Sequence, residues 1–142
     1  MTFWDSSALV PLLVAEPVTR AVRALYLQDH AVAVWWTTPV ECASAVARLE
    51  RDGALRAKAA AESFRRLDAL TSSWIEIEPV AEIREVARRL LRSHPLRTGD
   101  ALQLAAAYLA AERRPATLTL VTLDDRLAEA AGREGFIVVQ PG

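Results

Sequence analysis

The sequence predicts an α/β fold in which a central parallel sheet of about four to five strands carries helices on both faces. Short apolar strand segments alternate with amphipathic helical segments along all 142 residues, and such alternation is typical of parallel sheets. Hydrophobic residues make up 52% of the chain and the net charge is only −1, which excludes a disordered chain. We therefore expect a single domain over residues 1–142.

The predicted strands are short segments rich in β-branched and aromatic residues, or segments that alternate apolar and acidic residues. They are 2–4, 31–36, 74–78, 117–121 and 136–139. The first reads TFW, the second AVAVWW and the fourth TLTLV, each followed closely by polar residues. In AVAVWW, Trp35 and Trp36 are expected to face opposite sides of the strand.

The predicted helices show apolar or small residues at helical spacing between these strands. They are 6–13, 17–28, 38–51, 55–70, 80–92, 99–113 and 124–131. Pro17 suits the first turn of the second helix. Thr38 is expected to cap the third helix, with Pro39 at its first helical position, and Thr98 is expected to cap the sixth.

The cysteine content, the length of the apolar segments and the pI indicate the compartment and the class of protein to expect. Cys42 is the only cysteine, so no intrachain disulfide can form, and we expect it to be a small buried hydrophobe in a reducing compartment. We see no secretory signal and no apolar run near the ~20 residues of a membrane span, so the expected location is cytoplasmic. The pI of 6.1 lacks the basic footprint of a typical nucleic-acid binder.

Four acidic residues occur where predicted strands give way to helices. Asp5 follows the first strand, Glu41 lies in the first turn after the second, and Asp124 comes just after TLTLV. Asp100 begins the helix that follows the SHPLRTG loop. Because the carboxyl ends of parallel strands share one edge of the sheet, where ligands bind, these acids are expected to converge.

Converging carboxylates repel one another unless a proton or a cation neutralises them. Oxygen ligands without nearby His or Cys favour Mg²⁺ or Mn²⁺, and the chemistry that follows is metal-assisted hydrolysis of a phosphate ester. The alternative is that the acids only cap helices. Asp5 could cap the first helix, and Thr38 with Glu41 and Thr122 with Asp125 match capping boxes.

The chain also resembles a known family, the PIN-domain nucleases, and among them the VapC-type toxins of bacterial toxin–antitoxin pairs. The matching stretches are FWDSSALV, TTPVECASAVARL, LRTGDALQLAAA and LVTLDDRLAEAA. Their order and spacing fit over essentially the whole chain, and LRTGDALQLAAA is the most specific of them. The resemblance implies a PIN-like fold.

The resemblance implies that Asp5, Glu41, Asp100 and Asp124 are the catalytic, metal-binding carboxylates. Asp5 and Asp100 resemble the surest ligands of the family, and Glu41 and Asp124 are implied to act directly or through water. Asp125 is the ambiguous neighbour, but Asp124 has the usual spacing to the leucine that follows. The implied cofactor is Mg²⁺, with Mn²⁺ as an alternative.

Supporting roles are also implied. Ser7 and Thr122 match small hydroxyl residues that orient a ligand or water, and Thr98 belongs to the motif around Asp100. For RNA phosphates, every basic residue but Lys58 is arginine, which binds phosphate bidentately. Arg97 is the candidate because it adjoins the loop entering the Asp100 helix.

The function implied is that of a metal-dependent endoribonuclease that acts as a toxin and is neutralised by a small antitoxin inserted across the active site. A homodimer is implied as well. Two alternatives stay open: a housekeeping PIN nuclease that processes RNA, and a PIN-like binding module without catalysis. His30 and His94 lie outside the acidic stretches and are expected to be loop residues rather than catalytic bases.

Overall fold

The computed structural model describes the whole chain, Met1–Gly142, as five strands and seven α-helices. The strands are β1 (Thr2–Trp4), β2 (Val32–Trp35), β3 (Ile75–Ile77), β4 (Thr119–Val121) and β5 (Ile137–Val139). The helices are α1 (Ser6–Leu9), α2 (Thr19–Gln28), α3 (Thr38–Arg51), α4 (Ala57–Thr71), α5 (Ala81–Ser93), α6 (Thr98–Ala110) and α7 (Asp125–Glu134). None of these helices has both the length and the apolar character to traverse a lipid bilayer.

The strands form one fully parallel sheet in the order β3-β2-β1-β4-β5. The chain starts at the centre with β1, moves outward through β2 and β3, and then returns to place β4 on the other side of β1. The strand order therefore reverses between β1 and β4. Such a reversal opens a crevice at the carboxyl ends of the two strands, where α/β proteins bind ligands.

Two apolar cores lie on the two faces of the sheet because successive side chains of a strand point to opposite sides. Phe3 and Leu120 pack on one face with apolar residues of α5, α6 and α7. Trp4 and Val121 pack on the other face with residues of α1, α2, α3 and α4. The predicted α/β class, with helices on both faces of a parallel sheet, is confirmed.

Two early helical boundaries differ from the prediction. The segment predicted as a helix over 6–13 is an α-helix only to Leu9 and continues as a 3-10 turn, Val10–Leu12, because Pro11 has no N–H for an α-helical bond. Pro17 lies outside the second helix, which begins at Thr19. The Thr19 hydroxyl fixes the segment that leads into α2, because it accepts from the Glu16 N–H and donates to the Pro11 carbonyl.

Neither predicted threonine cap is formed. The N-cap residues of α3 and α6 are Thr37 and Arg97, and neither side chain makes a capping hydrogen bond. Thr38 and Thr98 are instead the first helical residues. Thr38 is buried, and its hydroxyl accepts from Gln103 Nε2 at 3.1 Å, so a contact with another helix replaces the expected local cap.

The last two helices also end away from their predicted positions. α6 stops at Ala110 rather than at residue 113, because Glu112 and Arg113 adopt left-handed backbone with φ of 52° and 61°. α7 runs past residue 131 to Glu134 and is ended by Gly135, with φ of 102°, the usual glycine terminus of a helix. The other boundaries lie within about two residues of those predicted, the ordinary uncertainty of helix ends.

Candidate active site

The site lies at the carboxyl edge of the sheet, where β1 and β4 end side by side. The Asp5 N–H donates to the Val121 carbonyl at 3.0 Å and so continues the ladder between these strands. Asp5 is the N-cap of α1, and Asp124 is the N-cap of α7, accepting from the Leu127 N–H. The helix-capping alternative is therefore correct for Asp5, but it does not exclude a second role for the same carboxylate.

Asp5 is held rigidly through one of its two carboxylate oxygens. Its side chain is buried, and Oδ2 accepts from Ser7 Oγ at 2.5 Å, from Thr122 Oγ1 at 2.9 Å and from the Ser7 N–H at 3.3 Å. All three donors converge on Oδ2, so Oδ1 is the oxygen left for a cation or water. Ser7 and Thr122 thus lie beside Asp5, where their supporting role was predicted.

The same two hydroxyls connect the ends of β1 and β4. Ser7 Oγ accepts from the Leu123 N–H at 2.9 Å, and Thr122 Oγ1 accepts from the Asp124 N–H at 3.0 Å. Each hydroxyl donates its proton to Asp5 and accepts from the backbone after β4. One connected network therefore fixes the Asp5 carboxylate and the backbone of Asp124 beside it.

Glu41 reaches the same edge from the first turn of α3. Its Oε1 accepts from Gln103 Nε2 at 2.6 Å and from Thr37 Oγ1 at 3.1 Å. Its Oε2 points towards the start of α6, because a Cβ placed on Gly99 would lie 3.9 Å from that atom. Glu41 therefore lies against the residue that precedes Asp100.

Both capping-box alternatives are wrong. The Glu41 carboxylate is bound by the side chains of Thr37 and Gln103 rather than reaching back to the backbone of Thr38. In the second case the helix is capped by Asp124, not by Thr122, while Asp125 accepts from the Gln140 amide at 3.0 Å.

One open cavity of about 510 Å³ brings the four predicted carboxylates together. It is lined by Asp5, Ser6, Ser7, Val10, Thr37, Val40, Glu41, Ser44, Ala45, Arg48, Asp100 and Asp124. An adjoining cavity of about 430 Å³ is lined by Arg97, Gly99, Asp100, Asp124, Asp125 and Arg126. Asp100 and Asp124 line both cavities, whereas Asp125 lines only the second.

The electrostatics of the cluster follow from this convergence. Burial raises the pKa of Asp5 above its usual range; the hydrogen bonds from Ser7 and Thr122 oppose the rise, and the Asp124 charge adds to it. Burial likewise raises the pKa of Glu41, with the Asp5 and Asp100 charges adding to it. The pKa of Asp100 is raised by burial and then by Asp124 and Asp5, against the lowering influence of Arg97.

The donor set fits a hard divalent cation that keeps much of its water. The cavity offers carboxylate oxygens without a His or Cys ligand, the chemistry that favours Mg²⁺ or Mn²⁺. As the side chains stand, no three or more of the acidic, His and Cys residues form a group that could hold a metal ion directly. An ion here would take one or two carboxylates and complete its coordination with water or substrate oxygens, the usual pattern for Mg²⁺.

Several residues of the site were not singled out from the sequence. Gln103 and Thr37 hold Glu41, and Arg126 lines the second cavity together with Arg97. Gln103 is three residues after Asp100 on α6, so an i, i+3 spacing was the available signal. Nothing in the local sequence indicates that Thr37 rather than Thr38 faces the site.

The cysteine, histidine and tryptophan residues that were given no catalytic role from the sequence lie outside the acidic cluster or are unreactive. Burial raises the pKa of the Cys42 thiol to about 12, with the Glu41 and Asp5 charges adding to the effect, so Cys42 is a buried thiol rather than a nucleophile. His94 is buried, and its Nε2 lies 2.6 Å from Glu134 Oε2. Trp35, the last residue of β2, is buried, and Trp36, which directly follows the strand, is 51% exposed, so the two rings differ in burial as expected, although the sequence did not indicate which one is buried.

Residues 2–133 match the PIN domain family. The chain belongs to that family. It is 35% identical over 145 residues to Ribonuclease VapC35 of Mycobacterium tuberculosis, covering 100% of this chain and 98% of that protein. The predicted resemblance to VapC-type PIN nucleases is therefore confirmed.

Solved structures share the fold. A toxin–antitoxin complex from Klebsiella pneumoniae superposes with a TM-score of 0.66 at 21% identity and covers 100% of this chain and 98% of that one. PAE2754 from Pyrobaculum aerophilum gives 0.64 at 27% identity, covering 97% and 88%. VapBC2 from Rickettsia felis, bound to promoter DNA, gives 0.68 at 14% identity, covering 99% and 98%. At 21% and 14% identity, the first and third support the fold alone.

Proposed function

We propose that this PIN-domain chain is an endoribonuclease that hydrolyses RNA phosphodiester bonds with Mg²⁺, or Mn²⁺ in its place, and that it acts as the toxin of a toxin–antitoxin pair. The observation that carries the proposal is the meeting of Asp5, Glu41, Asp100 and Asp124 in one open cavity at the reversal of strand order. The 35% identity to Ribonuclease VapC35 over the full chain supports the choice of RNA.

Asp5 and Asp100 would hold the ion most directly, and Glu41 and Asp124 would bind it or its water. The bound ion supplies a Lewis acid for a phosphoryl oxygen and lowers the pKa of a bound water. Ser7 and Thr122 fix the Asp5 carboxylate through Oδ2, which leaves Oδ1 as the oxygen available to the ion. Thr98, exposed at the start of α6, stays a predicted supporting residue.

The scissile strand of RNA would cross the two adjoining cavities. The first is acidic, with Arg48 as its one basic lining residue, and the second carries Arg97 and Arg126 beside Asp100 and Asp124. Arginine side chains there can bind the phosphates that flank the scissile one, where they also reduce repulsion between RNA and the carboxylates. Arg97 keeps its predicted role in RNA binding, and Arg126 joins it.

We also propose an antitoxin as the protein partner, consistent with the toxin–antitoxin complexes that share the fold. Apolar surface is available for it near the site: Val40 lines the acidic cavity and is 69% exposed, and Trp36, which directly precedes the cavity-lining Thr37, is 51% exposed. A segment covering this rim would bury both side chains and block the carboxylates. The homodimer stays a prediction that analytical ultracentrifugation can test.

The catalytic proposal is tested by RNA cleavage with Mg²⁺, with Mn²⁺ and with chelator. We expect Asp5→Asn and Asp100→Asn each to reduce cleavage at least about 100-fold, since each removes a direct ligand rather than an outer partner. Asp68→Asn, at an exposed position on α4, is the control and should cleave like the parent. Equal cleavage by all four proteins, or cleavage that persists in chelator, would contradict the proposal.

The toxin proposal needs a separate experiment. Induced expression of the chain in a bacterial host should arrest growth, whereas expression of Asp5→Asn should not. Fragments of host RNA with new ends should accumulate only with the parent chain. RNA binding without any cleavage in either metal would instead favour the non-catalytic binding module.

A further inference from the structure

Gln103 is a polar residue in an otherwise apolar part of α6. Its neighbours Ala101, Leu104 and Ala105 are fully buried in the core, and Gln103 itself is only 1% exposed. A buried amide is unfavourable unless its polar atoms are hydrogen-bonded. The position of Gln103 therefore needs an explanation other than packing.

The Gln103 amide is satisfied on one side only. Its Nε2 donates to Glu41 Oε1 at 2.6 Å and to Thr38 Oγ1 at 3.1 Å, while its buried Oε1 has no hydrogen-bond partner. An unpaired buried carbonyl is destabilising, and a leucine or methionine here would not carry that cost. The short contact with Glu41 is the feature that an apolar side chain could not provide.

The arrangement around Glu41 repeats the arrangement around Asp5. In Asp5, side-chain hydroxyl donors converge on Oδ2. In Glu41, the donors from Thr37 and Gln103 converge on Oε1, and Oε2 is directed towards Gly99 at the start of α6. In both acids one oxygen is fixed by the protein and the other is left for a ligand of the cavity.

We infer that Gln103 is a positioning residue that fixes the Glu41 carboxylate for divalent-cation binding and RNA hydrolysis. It acts through Glu41, because it joins α6 to the first turn of α3 and does not line the acidic cavity. The inference rests on the proposed function of that cavity. In this arrangement the side-chain amide of Gln103 links the Glu41 segment of α3 to α6, the helix that carries Asp100.

The test compares Gln103→Met with Thr38→Val in the full chain. Methionine conserves volume but cannot donate to Glu41, whereas valine removes the other acceptor of the same amide and leaves the Glu41 contact intact. Calorimetric titration of the metal-free proteins with Mn²⁺ should show about tenfold weaker binding for Gln103→Met, the size expected for loss of an outer-shell partner. Thr38→Val should bind Mn²⁺ within about twofold of the parent, since it leaves that partner in place.

Kinetics on an RNA oligonucleotide separate positioning from general damage. Gln103→Met should lower kcat and leave KM for RNA nearly unchanged, because Gln103 lines neither of the two cavities to which the RNA is assigned. Gln103→Glu should also bind Mn²⁺ more weakly than the parent, because two carboxyl groups in contact hold a proton between them that the cation must displace. Thermal unfolding followed by circular dichroism identifies any variant that fails to fold. If only one of Gln103→Met and Gln103→Glu folds, the Mn²⁺ affinity of that variant decides whether the inference holds.

A double-mutant cycle with Glu41→Gln tests whether Gln103 acts through Glu41. Adding Gln103→Met to Glu41→Gln should cause no further loss of Mn²⁺ affinity. An undiminished tenfold loss in that background, or parent-like Mn²⁺ binding by folded Gln103→Met, overturns the inference while leaving the nuclease proposal intact. A parent chain that neither binds Mn²⁺ nor cleaves RNA overturns both.

Discussion

Thr122→Val is expected to destabilise the metal-free protein by about 1.5–3 kcal/mol, the usual contribution of a hydrogen bond to a charged group. Thr122 is fully buried, and its hydroxyl donates to Asp5 Oδ2 at 2.9 Å while accepting from the Asp124 N–H. Valine keeps the shape of the side chain but removes both bonds. For a chain of this size the midpoint of thermal unfolding should fall by about 5–10 °C.

Thr119→Val is the matched control because it makes the same chemical change at the start of β4, three residues before Thr122. Thr119 is half-buried, and its hydroxyl is not part of the Asp5 network, so its effect should stay within about 0.5 kcal/mol. Both variants are melted in chelator. Equal unfolding temperatures for Thr122→Val and Thr119→Val would refute the reasoning that the hydroxyl stabilises buried Asp5.

The effect of Thr122→Val should also depend on pH. Burial already raises the pKa of Asp5 in the folded state, and the Thr122 hydrogen bond opposes that rise. Losing the bond raises the folded-state pKa further without changing the unfolded one, so the folded state binds protons more tightly. The destabilisation should therefore be complete above the raised pKa and shrink as the pH falls towards the usual range of an aspartate.

Two further predictions concern groups outside the acidic cavity. Glu134→Gln should lower the free energy of unfolding, measured in urea at pH 7, by about 1–2 kcal/mol. Burial raises the pKa of Glu134, but hydrogen bonds with Arg89 and His94 lower it by more, so this stability should be lost as the pH falls through the lowered pKa. An equal loss at pH 7 and pH 3 would contradict the prediction. Cys42, with a pKa of about 12, should not react with a thiol reagent at pH 8 until denaturant is added, and fast labelling of the native chain would contradict its burial.

The topology was predictable because hydrophobic periodicity reports directly on burial. TFW, AVAVWW and TLTLV each became a buried strand, and the helices between them covered both faces of the sheet. From that order alone, the acids that follow strands had to reach one edge. The convergence of Asp5 and Asp124 was therefore predictable from their sequence positions, whereas the hydrogen bonds that hold them in place were not.

Details set by contacts distant in sequence could not be predicted. Thr38 has the composition of a helix cap, yet it is buried against Gln103, 65 positions away. Gln103 in turn looks like an interruption of the apolar stripe of α6 until Glu41 is brought beside it by folding. Local rules assign each residue its commonest local partner, and they fail where a tertiary contact is stronger.

Capping and metal binding are compatible at this site for an electrostatic reason. The amino-terminal ends of α3, α6 and α7 carry Glu41 and Asp100 in their first turns and Asp124 as a cap, and the positive ends of helix dipoles offset part of the repulsion among carboxylates. The pKa of Asp5, Glu41 and Asp100 is still raised, first by burial and then by the charges of neighbouring carboxylates, so part of the repulsion remains. The fold can therefore assemble the four acids without a cation and still gain stability when one binds, and that binding should release protons in the pH range where these carboxyls titrate.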